Sequence, residues 1–523
     1  MSTLKDIVIT ALKEDAVQDE HQYPAWVTAL TVPRERFAES ARAMKKAGAR
    51  LVAEWATDET TFGRGFGIFT CYAKGSEYLI VKTEASFEDP TFPTLTKKFV
   101  ASWRFERQIQ SLMGVNPVGH PDSRPWIKHE DWPVDAWPLR KTFDPSRPMN
   151  RVNGEYKFIR AEGTGVCEIP VGPVHAGIIE PGHFRFQAVG EDILNLEKKL
   201  GYVHKGIEKR FEALSWEEGA RLAGRVSGDT TVAHSLAYCM ALETMNGCTP
   251  PERGLWLRAL MLERERIANH LGDIGGICND AAFAFLLYQF SRLREIVLRT
   301  NYKLFGHRLM MDKVVPGGVS VDITTEGIEE ILSELNWLTD ELERLAVIYD
   351  ENPSLEDRVR DAGVLTPDKA KELGVVGITA RASGQSLDCR IQNPFPPYDR
   401  IVPNMTVLQS GDVHSRTWVR VEEVRDSIDL ISKILRLLPS GGIKSGFAMP
   451  EADSKGFAVV EGWRGEIVYW IQSGPKGEIN RCMVRDPSSV NWLAVEQAIH
   501  GNIVPDFPLC NKSFNLSYSG HDL

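Results

Sequence analysis

Gly224-Arg-Val-Ser-Gly-Asp-Thr-Thr-Val-Ala-His234 is the stretch on which the reading of this chain turns, with Glu208-Lys209 ahead of it and Ser235 to Glu243 behind. Arg225 and Asp229 stand four apart at a probable helix start, a spacing at which opposite charges meet. With His175 and Arg381 they can line a polar cavity; alone they can form a bare ion pair. The side chains between them are hydroxyls, Ser227 and Thr230. Neutral hydroxyls do not replace the thiolates that soft metals require.

The chain has 523 residues, too many for one ordinary core, so two or more domains are expected. Hydrophobic residues make up 43% and charged residues 25%, the balance of a soluble globular protein. A net charge of -10 argues against nucleic acid as a partner, because phosphate binding needs clustered Lys and Arg. The longest apolar run, Ala281 to Tyr288, is far short of the roughly 20 residues of a spanning helix. Lys5, Asp6, Lys13, Glu14 and Asp15 interrupt any signal-peptide core, and a cytoplasmic chain is expected. Of the eight cysteines no two form a C-x-x-C pair, so they read as scattered reduced thiols.

Three segments are expected. Residues 1–115 read as an α+β domain, with strands at Ala25 to Val32 and Tyr78 to Glu84 and a helix from Arg34 to Ala49. Residues 116–154 carry Pro117, Pro121, Pro125, Pro133, Pro138, Pro145 and Pro148, which favour an extended connector. Residues 155–523 open with two strands around a Gly/Pro turn, Val166 to Phe186, and then turn helical. Trp256, Leu260, Ile267 and Leu271 share a face; so do the apolar residues of Phe285 to Leu304 and of Ile328 to Leu345. Such stripes are the core of a helical bundle. Val375 to Gly384 reads as a loop between helices, Glu422, Glu423 and Arg425 as part of another helix, and Gly441 to Ile471 as a small sheet. The fold class is therefore α+β: a mixed first domain, then a mainly helical bundle with small peripheral sheets.

The motifs resemble a known family in two parts. Gly224-Arg-Val and Ala233-His-Ser, with Glu208-Lys209 upstream, resemble the first cysteine motif of the large subunit of NiFe hydrogenases. There the pattern is Cys-Gly-x-Cys, where this chain has Ser227-Gly-Asp-Thr230, and the C-terminal Asp-Pro-Cys-x-x-Cys is matched by Asn515-Leu-Ser-Tyr-Ser-Gly520. The resemblance thus places Ser227, Thr230, Ser517 and Gly520 where the family has its metal thiolates. Trp103 to Asp122, with Gly119-His-Pro-Asp122 and Pro138-Leu-Arg-Lys141, is similar to the small companion subunit of the complex I peripheral arm, where this segment lies as a strap on a partner. Val166 to Phe186, Gly201 to Lys209 and Val375 to Gly384, followed by Asp388 and Arg390, are similar to the large subunit of complex I-related group 4 hydrogenases and to the quinone-site subunit of complex I.

The resemblance implies a fused peripheral-arm subunit on the cytoplasmic face of a membrane-associated energy-converting complex, without a NiFe centre and with no cofactor of its own. Implied partners are an iron-sulfur small subunit, a ferredoxin-like subunit and antiporter-like membrane subunits. In the quinone-site relatives a Gly-Pro-x-His-Pro-x-x-His-Gly loop and a tyrosine hold the quinone head. Here Gly172-Pro173 and His175 remain, Ala176 and Ile179 replace the proline and the second histidine, and no tyrosine lies between Trp216 and Tyr238. His234 either faces a partner's iron-sulfur cluster, as its counterpart does, or is satisfied in the core; His120, His204 and His270 are assigned to turns and core. Two functions are carried forward: an oxidoreductase subunit whose cavity, with Arg225, Asp229, His175, His234 and Arg381 as candidate residues, binds a quinone or other acceptor, and a structural coupling subunit with no substrate. The tail, Phe514 to Leu523, is expected to pack against Gly224 to His234 with Ser517 and Ser519 facing the vacated metal position.

Overall fold

The computed structural model describes residues 2–13, 16–23, 26–128, 132–133, 135–149, 156–176 and 179–523. The first domain is built from α1 (Leu4–Leu12), β1 (Asp19–Gln22), β2 (Val27–Thr31), α2 (Arg34–Lys46), β3 (Arg50–Asp58), β4 (Phe66–Lys74) and β5 (Glu77–Ala85), then β6 (Thr91–Pro93), α3 (Ser102–Met113) and β7 (Asn116–Val118). Thr3 and Asp6 close the start of α1 reciprocally, each side chain taking the other's backbone N–H at 3.1 and 3.0 Å. The sheet order is β1-β2-β5-β4-β3, with β2 and β5 parallel and the other neighbours antiparallel. One face is covered by α1, α2 and α3, whose Phe37, Phe105 and Ile109 join Leu51, Ile68 and Leu79 in one core.

The other face is also buried, against the second half of the chain. That half begins with β8 (Val166–Val171), β9 (His183–Val189) and β10 (Asp192–Lys199), in the order β10-β9-β8, followed by α4 (Ile207–Phe211) and α5 (Trp216–Ala223). Then come the bundle helices α6 (Thr231–Asn246), α7 (Glu252–Asp280) and α8 (Ala284–Phe305), the short pair β11 (Val314–Val315) and β12 (Gly318–Val319), and α9 (Thr325–Asp350). Four short helices follow: α10 (Pro353–Val359), α11 (Pro367–Leu373), α12 (Gly377–Ala382) and α13 (Cys389–Gln392). The long α14 (Val413–Leu437) leads to β13 (Lys455–Gly462), β14 (Gly465–Ser473) and β15 (Ile479–Arg485), and α15 (Ser488–Ala498), α16 (Phe507–Phe514) and α17 (Tyr518–Asp522) close the chain. The expected loop at Val375 to Gly384 thus contains a six-residue helix, whose backbone at Gly377 packs on Arg464 so closely that a side chain there would lie 2.0 Å from its carbonyl.

α7 is the axis of the bundle, with α6, α8 and α14 around it and the antiparallel sheet β13-β14-β15 laid on α6. The three apolar stripes read from the sequence all face this core. The first-domain sheet meets β13-β14-β15 through Trp55 and Phe69, stacked at 5.3 Å, with Trp470 at 5.6 and 5.1 Å from them. Arg50 pairs with Glu466 across the same face, Tyr78 donates to Glu466 at 2.8 Å, and Arg485 donates to the Val52 carbonyl at 3.1 Å. Rings and charges from both halves therefore share one interior.

The proline-rich strap has no helix or strand among its described residues 119–149. It is seated on its own chain: Trp126, Ile127 and Leu139 are buried in the first-domain core, Lys141 donates its N–H to Asp58 at 2.8 Å and Lys209 reaches the Arg140 carbonyl at 3.1 Å. Intramolecular apolar burial holds these residues of the strap. The boundary expected near residue 154 lies at residues 150–155, outside the described residues.

Candidate functional site

Three segments distant in sequence converge at the start of α6. Gly224 ends α5, and the chain crosses in one extended residue, Ser227, and a single tight turn, Gly228–Thr230, to Thr231. The second segment is the two-residue tip of the β13–β14 hairpin, Trp463-Arg464, made possible by Gly465 at φ +132. The third is the tail, where Asn515 takes the left-handed conformation at φ 43, ends α16 and turns the chain so that Ser517 caps α17 through the Gly520 N–H at 2.9 Å.

Arg464 is the centre of the assembly. Its guanidinium donates to both Asp229 carboxylate oxygens at 2.7 Å, to Thr230 Oγ1 at 3.0 Å and to the Asn515 carbonyl at 2.6 Å, and lies 3.8 Å from the Trp463 ring centroid. Ser227 Oγ and Ser517 Oγ are 2.8 Å apart. Burial works against the charge of Asp229, and the Arg464 charge and hydrogen bonds prevail, holding the carboxyl at about 2. Behind this layer Asp486 takes the Ser488 N–H at 2.7 Å and contacts His234 Nε2 at 3.0 Å, and His234 Nδ1 meets the Tyr469 hydroxyl at 3.0 Å.

In front of it opens a cavity of about 400 Å³. Its wall is mixed, with Asp229, Arg464, Ser517, Ser519, Glu180, Asp280 and Lys512 beside the apolar Val171, Ile179, Phe184, Phe507, Leu516 and the Tyr518 ring. The Tyr518 hydroxyl accepts a long contact from Asn511 at 3.5 Å, and burial pushes the phenol up to about 12. His175 lies on the wall, its Nε2 2.8 Å from the Gly182 carbonyl.

Of the five candidate residues the structure brings Asp229 and His175 to this cavity. Arg225 does not pair with Asp229: it points to the surface and binds Asp312 at 2.7 Å, because residues 225–227 are not helical and the four-residue spacing has no helical geometry behind it. His234 is fully buried one layer behind. Arg381 is elsewhere, in a buried ion network, donating to Glu423 at 2.9 Å and to Glu461 at 2.8 Å; burial opposes the Glu423 charge, but Arg381 holds that carboxyl well below its usual range. His270 joins the network through Glu423 at 2.8 Å, and His120 and His204 are held in turns by the Trp103 and Asp522 carbonyls. The tail sits where expected, with Ser517 against Ser227 and Tyr518 and Ser519 in the cavity wall. Arg464 and Asp486 were not read from the sequence. A lone arginine at a tight hairpin tip carries no periodic signal.

Two family models match the chain: "Respiratory-chain NADH dehydrogenase, 30 Kd subunit" over residues 30–148 and "Respiratory-chain NADH dehydrogenase, 49 Kd subunit" over residues 280–448. Formate hydrogenlyase subunit 5 of Escherichia coli (strain K12) is 32% identical over 487 residues, covering 91% of this chain and 85% of that one. The chain belongs to the family of fused 30 kDa and 49 kDa complex I-type subunits. Within this family, Hydrogenase-4 component G of the same strain is 32% identical over 89% of this chain and 82% of that one. The C/D fusion of the NADH-quinone oxidoreductase of Phocaeicola vulgatus is 28% identical over 76% of this chain and 80% of that one. A solved chain of the membrane-bound sulfane sulfur reductase, an archaeal respiratory membrane complex, shares the fold at TM-score 0.65 and 25% identity, covering 70% of this chain and all of that one. Among the described residues no helix is long and apolar enough to cross a membrane.

The NiFe centre of hydrogenase members of this family does not fit these residues. The four positions converge, but they offer three hydroxyls and a glycine, and a guanidinium stands among them. A Cβ added at Gly520 would lie 2.6 Å from the Asp486 carboxyl carbon, so a cysteine there displaces Asp486. Restoring cysteine at 227, 230, 517 and 520 together is expected to leave the protein without stoichiometric nickel while Arg464 remains. Elemental analysis after expression in nickel-replete cells with a hydrogenase maturation system checks this; one nickel per chain would refute it.

Buried titratable groups across the chain set a pH dependence. Burial raises Glu265 to about 8, Asp522 to about 7 and Asp426 to about 6, from unfolded values near 4. These three acids keep protons in the fold that the unfolded chain has lost, a contribution that falls away as pH rises through about 4 to 8. Burial lowers His183, His204, His270, His414, His500 and His521, which bind fewer protons in the fold and add stability as pH rises toward 6.5. Asp229 and Glu466, both held at about 2, act oppositely to the three raised acids: their contribution is present above about pH 4 and is lost in stronger acid. The melting temperature is expected to peak between about pH 6 and 7, where the buried histidines are becoming neutral in both states, and to decline toward about pH 8.5 as Glu265 and Asp522 ionise, in scanning calorimetry at constant ionic strength. A profile that rises from about pH 7 to 8.5 would contradict the assignment.

Proposed function

We propose that this chain is a peripheral-arm subunit, on the cytoplasmic face of the membrane, of a complex I-like oxidoreductase, and that its cavity binds a quinone or a related electron acceptor beside an iron-sulfur cluster of a partner. The observation that carries this reading is the cavity itself: about 400 Å³, with apolar side chains, the Ser517 and Ser519 residues and the Asp229-paired Arg464 all in its wall. Loss of a metal centre followed by apolar infill would have left no such space. The volume suits an aromatic head, which takes apolar contact on its faces and hydrogen bonds at its carbonyl edges. Relatives named as components of formate hydrogenlyase, hydrogenase-4, NADH-quinone oxidoreductase and an archaeal respiratory membrane complex support assembly with other subunits at a membrane, and we extend this to the iron-sulfur, ferredoxin-like and antiporter-like partners that the resemblance implies. Division of the chain near residues 115 and 154 into companion domain, strap and large-subunit domain belongs to the same proposal.

A second reading, a coupling subunit with no substrate, is favoured by the ion network. Arg266, Arg381 and Arg390 with Glu263, Glu423 and Glu461 tie α7, α12, α13, α14 and β13 into one rigid unit. The two readings separate on the intact complex, assayed against a panel of quinones and dyes. Tyr518→Phe removes one hydrogen bond of about 1.4 kcal/mol and is expected to lower kcat/KM for the favoured acceptor about tenfold with the melting temperature unchanged. Acceptor reduction indifferent to Tyr518, Ser519 and His175 substitutions alike would leave the coupling reading in its place.

A further inference from the structure

A second, much smaller chamber of about 10 Å³ lies behind the cavity, and Asp229 lines both. The volume is about that of one water. Its wall includes Glu265, Asn269, Arg294 and Arg308. Arg294 presents a buried Nε that has no hydrogen-bond partner among the described residues, the signature of a bridging water. Arg308 is exposed and pairs with Glu295 at 2.8 Å, so solvent is one side chain away. Glu265 itself is buried on α7, its two oxygens taking the Val232 and Ala233 N–H groups at 2.7 and 3.1 Å. Each oxygen keeps a second lone pair for a water or a proton.

We propose that Glu265 delivers protons to the cavity, relaying them from the Arg308 side through a water in the small chamber, past the Asp229 carboxylate that lines both spaces and stays ionised, to an acceptor bound in front. The delivery role rests on the reading of the large cavity as an acceptor site. Two-electron reduction of a quinone-class acceptor converts two carbonyls to hydroxyls and consumes two protons. The electrons come from the partner's cluster; one proton leaves the Glu265 carboxyl, crosses the chamber water beside the ionised Asp229 and ends on the acceptor oxygen, and a solvent proton entering at Arg308 restores Glu265. The second proton arrives from the cavity mouth. The charges facing Glu265 suit this exchange: Asp229 opposes its ionisation, Arg266 favours it, and Arg294 and Arg308 sit across the chamber. Burial leaves the carboxyl titrating at about 8, where it is protonated at neutral pH and still able to release.

Infrared difference spectroscopy of the full chain tests the acid without any acceptor. A protonated-carboxyl carbonyl stretch that disappears as pH is raised through about 8, and is missing in Glu265→Gln, is expected. A spectrum identical in wild type and Glu265→Gln overturns the proposal. In the intact complex Glu265→Gln is expected to lower kcat on the order of 10²-fold with KM unchanged and to abolish the alkaline limb of its pH profile. Ala268→Val, which fills the chamber and keeps the acid, should retain the carbonyl band, slow its shift in heavy water and lower kcat in the same way. Wild-type turnover with both variants unaffected overturns the delivery role alone; a wild-type complex that reduces no acceptor removes the cavity reading and the delivery role together, while a titrating band still identifies the acid.

Discussion

Arg381→Leu is expected to lower the stability of the chain by roughly 3–5 kcal/mol, the cost of leaving buried carboxylates without their partner. Arg381, Glu423 and Glu461 are each almost fully buried, and one guanidinium satisfies Glu423, Glu461 and the Leu387 carbonyl. Removing it leaves Glu423 with Arg266 at 3.4 Å and His270, and Glu461 with only the Cys389 N–H at 3.2 Å. Arg381→Lys keeps the charge but not the fork that reaches both acids, so it should recover less than half of the loss. Denaturant unfolding measures both. A leucine variant as stable as the wild type would mean that the network is dispensable for the fold. The position was a candidate for the cavity from the sequence; its expected effect is on the melting of the whole bundle.

The same network shows where the sequence was legible. α7, α8 and α9 were readable because their leucines and isoleucines recur every three or four residues, and burial of one face follows from the period alone. Glu263-Arg-Glu-Arg266 in the middle of α7 reads by the same logic as a solvated charge run, yet all four are buried, around the full circumference of the helix. Their partners, Arg390, Glu334 and Glu461, come from segments far along the chain, and no local pattern announces them. The candidate site divides the same way. The convergence of residues 227, 230 and 517 was legible through family resemblance, which carries long-range contacts that spacing cannot. Arg225 with Asp229 was a local inference, and it failed when the backbone between them proved not to be helical. Arg464 reaches Asp229 and Thr230 from a hairpin tip more than 230 residues away in sequence, a contact visible only in three dimensions.

Deleting Phe514 to Leu523 is expected to cost roughly 3–6 kcal/mol and to open the cavity. Phe514, Leu516, Tyr518 and Leu523 are all buried, and each contributes about 1.5–3 kcal/mol on full burial. Half of that sum is discounted for the compact unfolded chain and for lost chain entropy. Polar contacts add to it. Ser517 N–H donates to Ser488 at 2.9 Å, Ser519 N–H donates to Glu180 at 3.0 Å, and the Asp522 carboxyl takes the Gly201 and Val203 N–H groups at 2.9 and 3.1 Å. The Phe514 ring lies 4.1 Å from the Arg416 guanidinium, whose Nε donates to Ser513 at 2.8 Å, so the end of α16 is clamped to α14. Removing the segment uncovers Ser227 and Asp486 and takes away Tyr518 and Ser519 from the wall of the cavity. The truncated chain should therefore melt several degrees lower in calorimetry and fail to bind an acceptor that the full chain binds. Tyr518→Phe in the full chain separates the two effects, because it removes a cavity hydroxyl and leaves the packing of α17 in place. A truncated chain with the wild-type melting temperature would show that the tail is not part of the folded core, and the site assembled from it would fall with that result.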